Sequence, residues 1–327
     1  LPDLAIQYAD FATWQRQYFD DARLAPQLDY WRTQLQGVDV LELPTDRPRP
    51  PQMSYRGNYY QFSLPKPLMD GLNRLSQHQG TTLFMTLLAA FKALLHRYSG
   101  QTDICVGSPI ANRTRSDIEP LIGFFVNSLA LRSHVNAQLS FIELLKRLQK
   151  ITLDAYANQD VPFERLVDIV GTARDTSHSP VFQVFFNLNN GEVERNLQLE
   201  GLHADILPAD TDSAKFDLSL LATEYRDRLV CQLEYSGDLF DRETIVRMGL
   251  HFSEMVAGIV ANPMTRIGLL PLLDREERAQ LLVDWNQTER ATPRTTVTQL
   301  IESQVLKTPH AIAVRCGKAM LSYEQLD

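Results

Sequence analysis

One amide and two guanidinium groups are the side chains best placed to do chemistry in the centre of the chain. Asn127 lies inside the apolar run IGFFVNSLALR at residues 122–132, Arg132 ends that run, and Arg113 precedes it. The length of the run and its aromatic and β-branched residues predict a buried strand. A buried amide without a partner is costly, so Asn127 must be hydrogen-bonded. Its partners are either backbone groups, as for most buried polar side chains, or a substrate in a channel wall.

A polar turn supplies a second group of candidate residues. Asn158, Gln159 and Asp160 separate two predicted helices. In a tight turn between helices, such side chains usually cap a helix end. The alternative is a role at a site. Within the apolar run, Gly123 leaves room for another backbone segment or a ligand to approach closely.

The sequence holds no complete catalytic set of a familiar kind. It has no G-x-S-x-G elbow, no glycine-rich phosphate loop and no H-E-x-x-H zinc motif. The seven histidines are scattered, and we interpret His178, between two serines, as structural. Cys105, Cys231 and Cys316 lie far apart without a C-x-x-C pair, so we expect them to be buried and structural, and we predict no metal site.

Composition narrows the class of protein. The net charge of −8, without a long basic run, argues against nucleic acid and anionic membrane surfaces as partners. No apolar run approaches the roughly 18 residues of a membrane span; the nearest, residues 82–95, contains Lys92 and reads as an amphipathic core helix. With no signal peptide and no disulfide pattern, the expected setting is cytoplasmic.

The secondary-structure elements that must position these candidate residues are a mixture of helices and strands. This mixture indicates a layered α/β fold with a mixed sheet. Gly37, Gly80 and Gly171 read as helix ends, and Ser140 with Glu143 as a capping box. The predicted helices occupy residues 2–37 in two pieces, 66–79, 82–98, 140–157, 163–170 and 241–262, and Asp241 is expected to cap the last of them. The predicted strands occupy residues 59–64, 104–110 and 181–188 and the hairpins 216–236 and 311–323. The strand at 104–110 is expected to be an edge strand or a bulged strand.

Four motifs resemble the later motifs of condensation domains from nonribosomal peptide synthetases, in that family's order. They are YADFATWQ at residues 8–15, the run at residues 122–132, NQDVPFE at residues 158–164 and RDTSHSPVFQ at residues 174–183. Four motifs in order are far more specific than one. The resemblance covers most of the chain, to about residue 273.

The resemblance implies a chloramphenicol-acetyltransferase-like α/β condensation fold, of which this chain holds mostly the C-terminal half. In that family two halves form a V, and two carrier-bound substrates meet in a tunnel between them. The α-amino group of an acceptor aminoacyl thioester attacks the carbonyl of a donor acyl or peptidyl thioester. The His-His-x-x-x-Asp-Gly motif that carries the active-site His does not occur here. We therefore assign no catalytic residue, and we expect the chain alone to be inactive.

The resemblance also suggests a domain organisation for the 327 residues. The chain starts with Leu1 rather than Met, and we expect it to be a piece of a longer protein. The expected parts are the end of the condensation N-terminal half with a crossover connector (1–55), the C-terminal half (56–273), an interdomain linker (274–296), and the truncated start of an adenylation domain with its first strands (297–327), whose first motif matches LSYEQL at residues 321–326.

In the tunnel that the resemblance implies, Asn127, Gln159 and Asp160 are expected to line the wall or support it. Either Arg113 or Arg132 is expected to hold the carboxylate of the absent Asp, and the sequence does not choose between them. The implied cofactor is 4'-phosphopantetheine on partner carrier domains, with none bound by this chain itself. The implied partners are peptidyl carrier domains upstream and downstream, their aminoacyl and peptidyl thioesters, and the rest of the adenylation domain.

Three other functions stay open at this point. Epimerisation domains of the same superfamily share the layout but differ in sequence where this chain has GFFVN. Heterocyclisation domains replace the two upstream histidines. From a different class, a non-catalytic module that docks carrier proteins would also lack a complete catalytic set.

Overall fold

The computed structural model describes residues 4–171, 175–191, 212–291 and 295–327. Arg174, the first residue of the fourth motif, lies outside the described residues. The chain divides into two units, Leu1–Asp274 and Arg275–Asp327.

The described elements of the first unit alternate between helices and strands, as the sequence predicts. They are α1 (Tyr8–Tyr18), α2 (Asp21–Leu35), β1 (Gly57–Pro65), α3 (Lys66–Gln79), α4 (Leu83–Ser99), β2 (Asp103–Ile110), β3 (Asn127–His134), α5 (Phe141–Ala157), α6 (Phe163–Val170), β4 (Val184–Asn190), β5 (Leu218–Glu224), β6 (Arg228–Ser236) and α7 (Arg242–Ala261).

The six strands form one mixed sheet in the order β1-β6-β5-β4-β2-β3. The pairs β1–β6, β5–β6 and β2–β3 are antiparallel, while β4 runs parallel to both β5 and β2. The mixed sheet and the β5–β6 hairpin confirm the predicted α/β class.

Strand β2 is interior, so of the two predicted alternatives, an edge strand or a bulged strand, the edge strand was wrong. It pairs with β3 along its whole length, but with β4 only at Gly107 and Phe185. Pro109 therefore lies past the end of the β4 pairing, where its missing N–H removes no bond of that ladder. Gly107 and Pro109 therefore mark the short pairing of β2 with β4, not a free edge of the sheet.

The apolar run at residues 122–132 is a strand only in its second half, which corrects the prediction of one buried strand. The strand β3 begins at Asn127, opposite Ile110, where its partner β2 ends. Before that point no strand is available to pair, and Ile122 and Phe124 are 93% and 79% exposed. Phe125 is buried instead in a small separate cluster of α1 and the loop before β3.

Helix ends follow the local signals closely. Ser140 and Glu143 form the predicted capping box at the start of α5, and Gly80 and Gly171 end their helices at φ of 64° and 60°. Asp241 occupies the N-cap position of α7 as predicted, but its side chain makes no capping hydrogen bond. The carboxylate of Asp241 pairs with Arg47 instead.

The predicted extended connector before β1 contains no helix or strand between residues 43 and 51. Arg49 donates hydrogen bonds of 2.9 and 2.5 Å to the carboxylate of Asp217, which directly precedes β5. Together with the Arg47 pair to Asp241, this fixes the connector to the sheet. Its crossing to another half of the domain stays a prediction.

One described helix, α7, is long and apolar enough by length and composition to cross a membrane, with a mean hydropathy of 1.2. It is a stronger candidate than the predicted nearest one at residues 82–95. In the structure α7 packs on α3, α4, β1 and β6, with Ile245, Met248 and Phe252 in the main core. That packing is typical of an amphipathic core helix.

Two of the three cysteines have the predicted burial, because Cys105 and Cys231 lie in the sheet. Burial raises the pKa of each of these thiols to about 12. Cys316, on the hairpin of the second unit, is exposed, so its predicted burial was wrong.

Gly107 in β2 occupies a position with no room for a methyl group. An added Cβ would lie 2.1 Å from the ring of Phe182, which is buried and packs on Phe163 and Phe216. We expect Gly107→Ala to lower the free energy of unfolding by about 2 to 3 kcal/mol, since a core ring must move. Urea denaturation measures this. At Gly237 an added Cβ meets nothing closer than 3.6 Å, so Gly237→Ala is the control, and equal effects of both changes would contradict the prediction.

The second unit, Arg275–Asp327, contains α8 (Arg275–Leu282), α9 (Val297–Lys307), β7 (Ile312–Cys316), β8 (Ala319–Ser322) and α10 (Tyr323–Leu326). The antiparallel β7–β8 hairpin is confirmed, with Gly317 at a φ of 60° in its turn. Part of the predicted linker is helical, because the sequence of α8 is rich in strong helix formers.

Candidate functional site

A cleft of about 550 Å³ opens where β2 ends and β3 begins. Its walls come from α1, from the loop before β3, from the start of β3, and from the turn between α5 and α6. The lining residues are Tyr8, Phe11, Gln15, Arg16, Asn112, Phe124, Phe125, Val126, Asn127, Ser128, Asp160, Pro162, Phe163 and Glu164. Residues from three of the four sequence motifs therefore meet at one place.

A small apolar cluster builds one wall of the cleft. Phe11 of α1 packs with Ile118, Leu121 and Phe125 of the loop before β3. The Tyr8 hydroxyl donates to the carbonyl oxygen of Phe124 at 2.9 Å. Two aromatic rings of α1, those of Tyr8 and Phe11, pack in or against this cluster and also line the cleft. A helical pattern cannot separate these roles, since both need an apolar face.

Tyr8 fills the space that Gly123 leaves open. A Cβ at Gly123 would lie 2.2 Å from the Tyr8 ring. The close approach expected at this glycine is thus made by a side chain of α1, which is 115 positions away in sequence. It brings the first and second motifs into contact.

Asn127 lines the cleft and is saturated by backbone groups. Its Nδ2 donates to the carbonyl oxygens of Gln159 at 3.0 Å and Val161 at 2.9 Å. Its Oδ1 accepts from the backbone N–H of Ser128 at 2.9 Å and of Phe163 at 3.1 Å. With two donors and two acceptor positions in use, the amide acts as a clamp that joins β3 to the turn between α5 and α6.

The clamped turn is held from a second side by α2. Trp31 Nε1 donates to the carbonyl oxygen of Asn158 at 2.7 Å. Gln27 Nε2 donates to Asp160 Oδ2 at 2.8 Å, and Gln27 Oε1 accepts from the backbone N–H of Asp160 at 3.1 Å. Asn158 ends α5, as the capping interpretation expects. Gln159, through its carbonyl, and Asp160 instead tie the turn to β3 and α2.

The carboxylate partner of Arg132 lies within this chain. Its guanidinium contacts Asp103 through Nε at 2.9 Å and Nη2 at 2.6 Å, and it donates to the carbonyl oxygens of Gln34 and Gln36. The hydrogen bond to Asp103 raises the pKa of Arg132. Arg132 therefore ties β2 and β3 to the end of α2, and it does not line the cleft.

Arg113 makes a different set of contacts. Its Nη1 donates to the carbonyl oxygens of Ile118 and Glu119 at 2.5 and 3.1 Å, and its guanidinium lies 4.2 Å from the ring centre of Phe125. In the described part of the chain it contacts no carboxylate. Of the two arginines, Arg113 is thus the one that stays available for a carboxylate from elsewhere.

His178 has structural surroundings, as interpreted from its motif. Its Nδ1 lies 3.0 Å from the carbonyl oxygen of Ser179, and its Nε2 lies 3.4 Å from Asp175 Oδ2. It does not line the cleft. Within the four described stretches of chain, no group of three or more His, Cys, Asp and Glu side chains is arranged to hold a metal ion.

Arg16, Glu164 and Gln27 are among the polar residues of the site that were not predicted. Arg16 and Glu164 line the cleft, and Gln27 holds Asp160 from behind. Arg16 and Glu164 are adjacent to or inside two of the motifs, so motif position was a usable signal for them. No sequence signal pointed to Gln27, because its partner Asp160 lies 133 positions further along the chain.

The fold is that of a condensation domain. Residues 1–282 match the family described as "Condensation domain", and the chain belongs to that family. Over its whole length it is 41% identical to tyrocidine synthase 3 and 44% identical to a subunit of linear gramicidin synthase, both of Brevibacillus parabrevis. It spans only 5% and 4% of the length of these relatives.

Solved structures agree with this family. The X-domain from teicoplanin biosynthesis is 28% identical with a TM-score of 0.77, covering 84% of this chain and 64% of that one. The four-domain nonribosomal peptide synthetase AB3403 is 22% identical with a TM-score of 0.79, and the match covers 94% of this chain and 24% of that one. At this low identity the similarity supports a shared fold and nothing further. The condensation fold implied by the motifs is confirmed.

Proposed function

We propose that this chain is part of a nonribosomal peptide synthetase and takes part in peptide-bond formation. The donor is an acyl or peptidyl thioester and the acceptor an aminoacyl thioester, both carried by peptidyl carrier domains. The observation that carries this proposal is the family match over residues 1–282, supported by the 44% identity to a part of linear gramicidin synthase. The cleft, where three motifs meet, is the proposed place for the reacting ends.

The reaction itself needs little covalent help from the protein. The lone pair of the acceptor nitrogen forms the new C–N bond. The donor C–S bond breaks with its electron pair passing to sulfur, and a proton from the nitrogen ends on that sulfur. Orientation of the two tethered reactants and fixed polar groups near the developing charges therefore supply most of the acceleration.

The proposed role of Asn127 follows from its contacts. Because its amide is saturated, it serves the reaction by holding the turn at residues 158–163 against β3. That turn presents Asp160 to the cleft. For the carboxylate of the Asp in the upstream His motif, Arg113 is the better candidate, since Arg132 already holds Asp103.

The proposed division of the chain keeps the predicted boundaries. Residues 1–55 and 56–273 belong to the condensation domain, 274–296 to a linker and 297–327 to the start of an adenylation domain. Support comes from the family match, which stops at residue 282, and from the separation of a second unit at Arg275. The remainder of the adenylation domain, and 4'-phosphopantetheine arms on carrier domains, are proposed partners in a cytoplasmic assembly.

The test compares the isolated chain with an intact synthetase module that contains it. We expect the module to form dipeptidyl product from preloaded carrier domains, and the isolated chain to form none, because it lacks the His motif. Mass spectrometry of the carrier-bound products measures both. Product from the isolated chain would contradict the expectation that the upstream His is needed. No product from the intact module would contradict the proposed reaction.

A second candidate is a module that recruits a protein instead of condensing substrates. The observation that favours it is the similarity to the teicoplanin X-domain, whose structure was also solved in a complex with OxyB. In that case the intact module would bind a partner protein and form no peptide bond. Epimerisation and heterocyclisation remain alternatives, which chiral analysis and mass of the product distinguish.

A further inference from the structure

The cleft presents one carboxylate whose direction is fixed by a residue outside the cleft. Asp160 lines the cleft, and its Oδ2 accepts a hydrogen bond from Gln27 Nε2 at 2.8 Å. The return bond from the backbone N–H of Asp160 to Gln27 Oε1, at 3.1 Å, prevents rotation of the pair. Across the described part of the chain, no donor contacts the other oxygen, Asp160 Oδ1. A carboxylate held by one oxygen leaves the second as an oriented acceptor.

The position of Gln27 is itself firmly determined. It lies on α2, one turn before Trp31, whose buried indole donates to the carbonyl of Asn158 in the same turn. On the opposite side, Asn127 holds the carbonyls of Gln159 and Val161. The backbone of Asp160 is therefore braced on both sides, so the carboxylate needs little reorganisation when a ligand binds.

The charges of the cleft favour a cation over an anion. Asp160 and Glu164 line it as acids and Arg16 as a base. Glu164 is exposed, whereas Asp160 is half-buried and bonded from behind. A partly desolvated carboxylate attracts an ammonium group more strongly than an exposed one does.

From this geometry we infer that Asp160 binds the α-amino group of the acceptor, and that Gln27 is the positioning residue that aims its carboxylate. This rests on the proposed function. Asp160 Oδ1 accepts an N–H hydrogen bond from the acceptor nitrogen and stabilises the positive charge that develops there as the C–N bond forms. Gln27 touches no substrate and acts through Asp160.

The test uses an intact synthetase module with preloaded carriers, in four forms: wild type, Gln27→Ala, Asp160→Asn and the control Gln34→Ala. Gln34 lies on the same helix and donates to the carbonyl of Arg132 at 3.0 Å, away from the cleft. Single-turnover condensation rates are measured from pH 6 to 9. Asp160→Asn preserves size and an acceptor for Gln27, so it keeps the test valid if Gln27→Ala folds poorly.

Two changes are expected in Gln27→Ala and Asp160→Asn. The rate at high pH falls about tenfold, because the charge on nitrogen loses its carboxylate partner in Asp160→Asn and a correctly aimed one in Gln27→Ala. The acid limb, which reports the pKa of the acceptor amine, moves to lower pH by about one unit, because the carboxylate is either absent or no longer held beside the ammonium form. Gln34→Ala should keep both the rate and the limb.

A purely structural role would lower the rate without moving the acid limb, and that result would overturn the inference. So would a profile for Asp160→Asn that matches the wild type. If the wild-type module itself forms no peptide, the proposed function fails and the inference falls with it. The wild-type reaction thus separates the two failures.

Discussion

Replacing Asn127 by alanine should lower the free energy of unfolding by about 2 to 4 kcal/mol and the condensation rate of an intact module by about ten- to a hundredfold. The stability loss follows because four backbone groups lose their partner in a partly buried place. The rate loss follows because the turn carrying Asp160 is released, and a displacement of about 1 Å at a reacting group can cost about a hundredfold. Urea denaturation and single-turnover kinetics measure the two effects.

The matched control for this change is Asn158→Ala. Asn158 lies in the same turn, and its side chain makes one bond, from Nδ2 to the carbonyl oxygen of Asp154 at 2.8 Å. Its loss should cost about 1 kcal/mol or less and leave the rate within about twofold. If Asn127→Ala folds and condenses at the wild-type rate, neither lining nor clamping by Asn127 matters to the reaction.

Lys92 should make the stability of the domain rise with pH above neutrality. Its ammonium is fully buried under the β2–β3 pair and donates to the carbonyl oxygens of Ile104 and Leu131 and to Ser133 Oγ, at 2.9, 2.6 and 2.8 Å. Burial nevertheless lowers the pKa of Lys92 to about 7. In the unfolded chain the pKa of a lysine is about 10.4.

The direction of this change in stability with pH follows from how many protons each state binds. Between pH 7 and about 10 the unfolded chain holds a proton that the folded chain has released, so the free energy of unfolding rises with pH, by at most about 1.4 kcal/mol per unit. Below pH 7 both states are protonated and the dependence vanishes. From pH 7 to 9 we expect the wild type to gain about 2 kcal/mol relative to Lys92→Met, which keeps the volume but cannot titrate.

The measurement is urea denaturation of both proteins at pH 6, 7, 8 and 9. The thiols of Cys105 and Cys231, whose pKa is raised to about 12, oppose the trend at high pH, because the unfolded chain loses their protons first. They are present in both proteins, so the difference between the two reports Lys92 together with its interaction with Cys105, whose pKa the nearby Lys92 ammonium lowers. Parallel pH profiles would show that the folded chain keeps Lys92 charged throughout.

The elements that were predicted well depend on neighbours in sequence. The α5 capping box formed by Ser140 and Glu143, the glycine that ends α3 and the hairpin turn at Gly317 need only three or four consecutive residues to form. The motifs likewise indicated the condensation fold and, through Asn127 and residues 159–160, two of the stretches that line or support the cleft, because each of them is a contiguous stretch.

What failed depended on partners distant in sequence. The run before Asn127 has the composition of a buried strand, but a strand requires a neighbour, and β2 ends at Ile110. Asp241 has the residue type of a cap, but Arg47 competes for its carboxylate. Such contacts with residues distant in sequence cannot be predicted from the local sequence.

The site shows the same division. From the sequence alone came the family, the prediction that Asn127 and the turn at residues 158–160 belong to a site, and the absence of the His motif. Only the tertiary structure decided which groups meet: Asn127 with carbonyls more than 30 positions away, Arg132 with Asp103, and Gln27 with Asp160 across 133 positions. A hydrogen bond extends about 3 Å, so its partners are set by how helices pack on the sheet and not by their order along the chain.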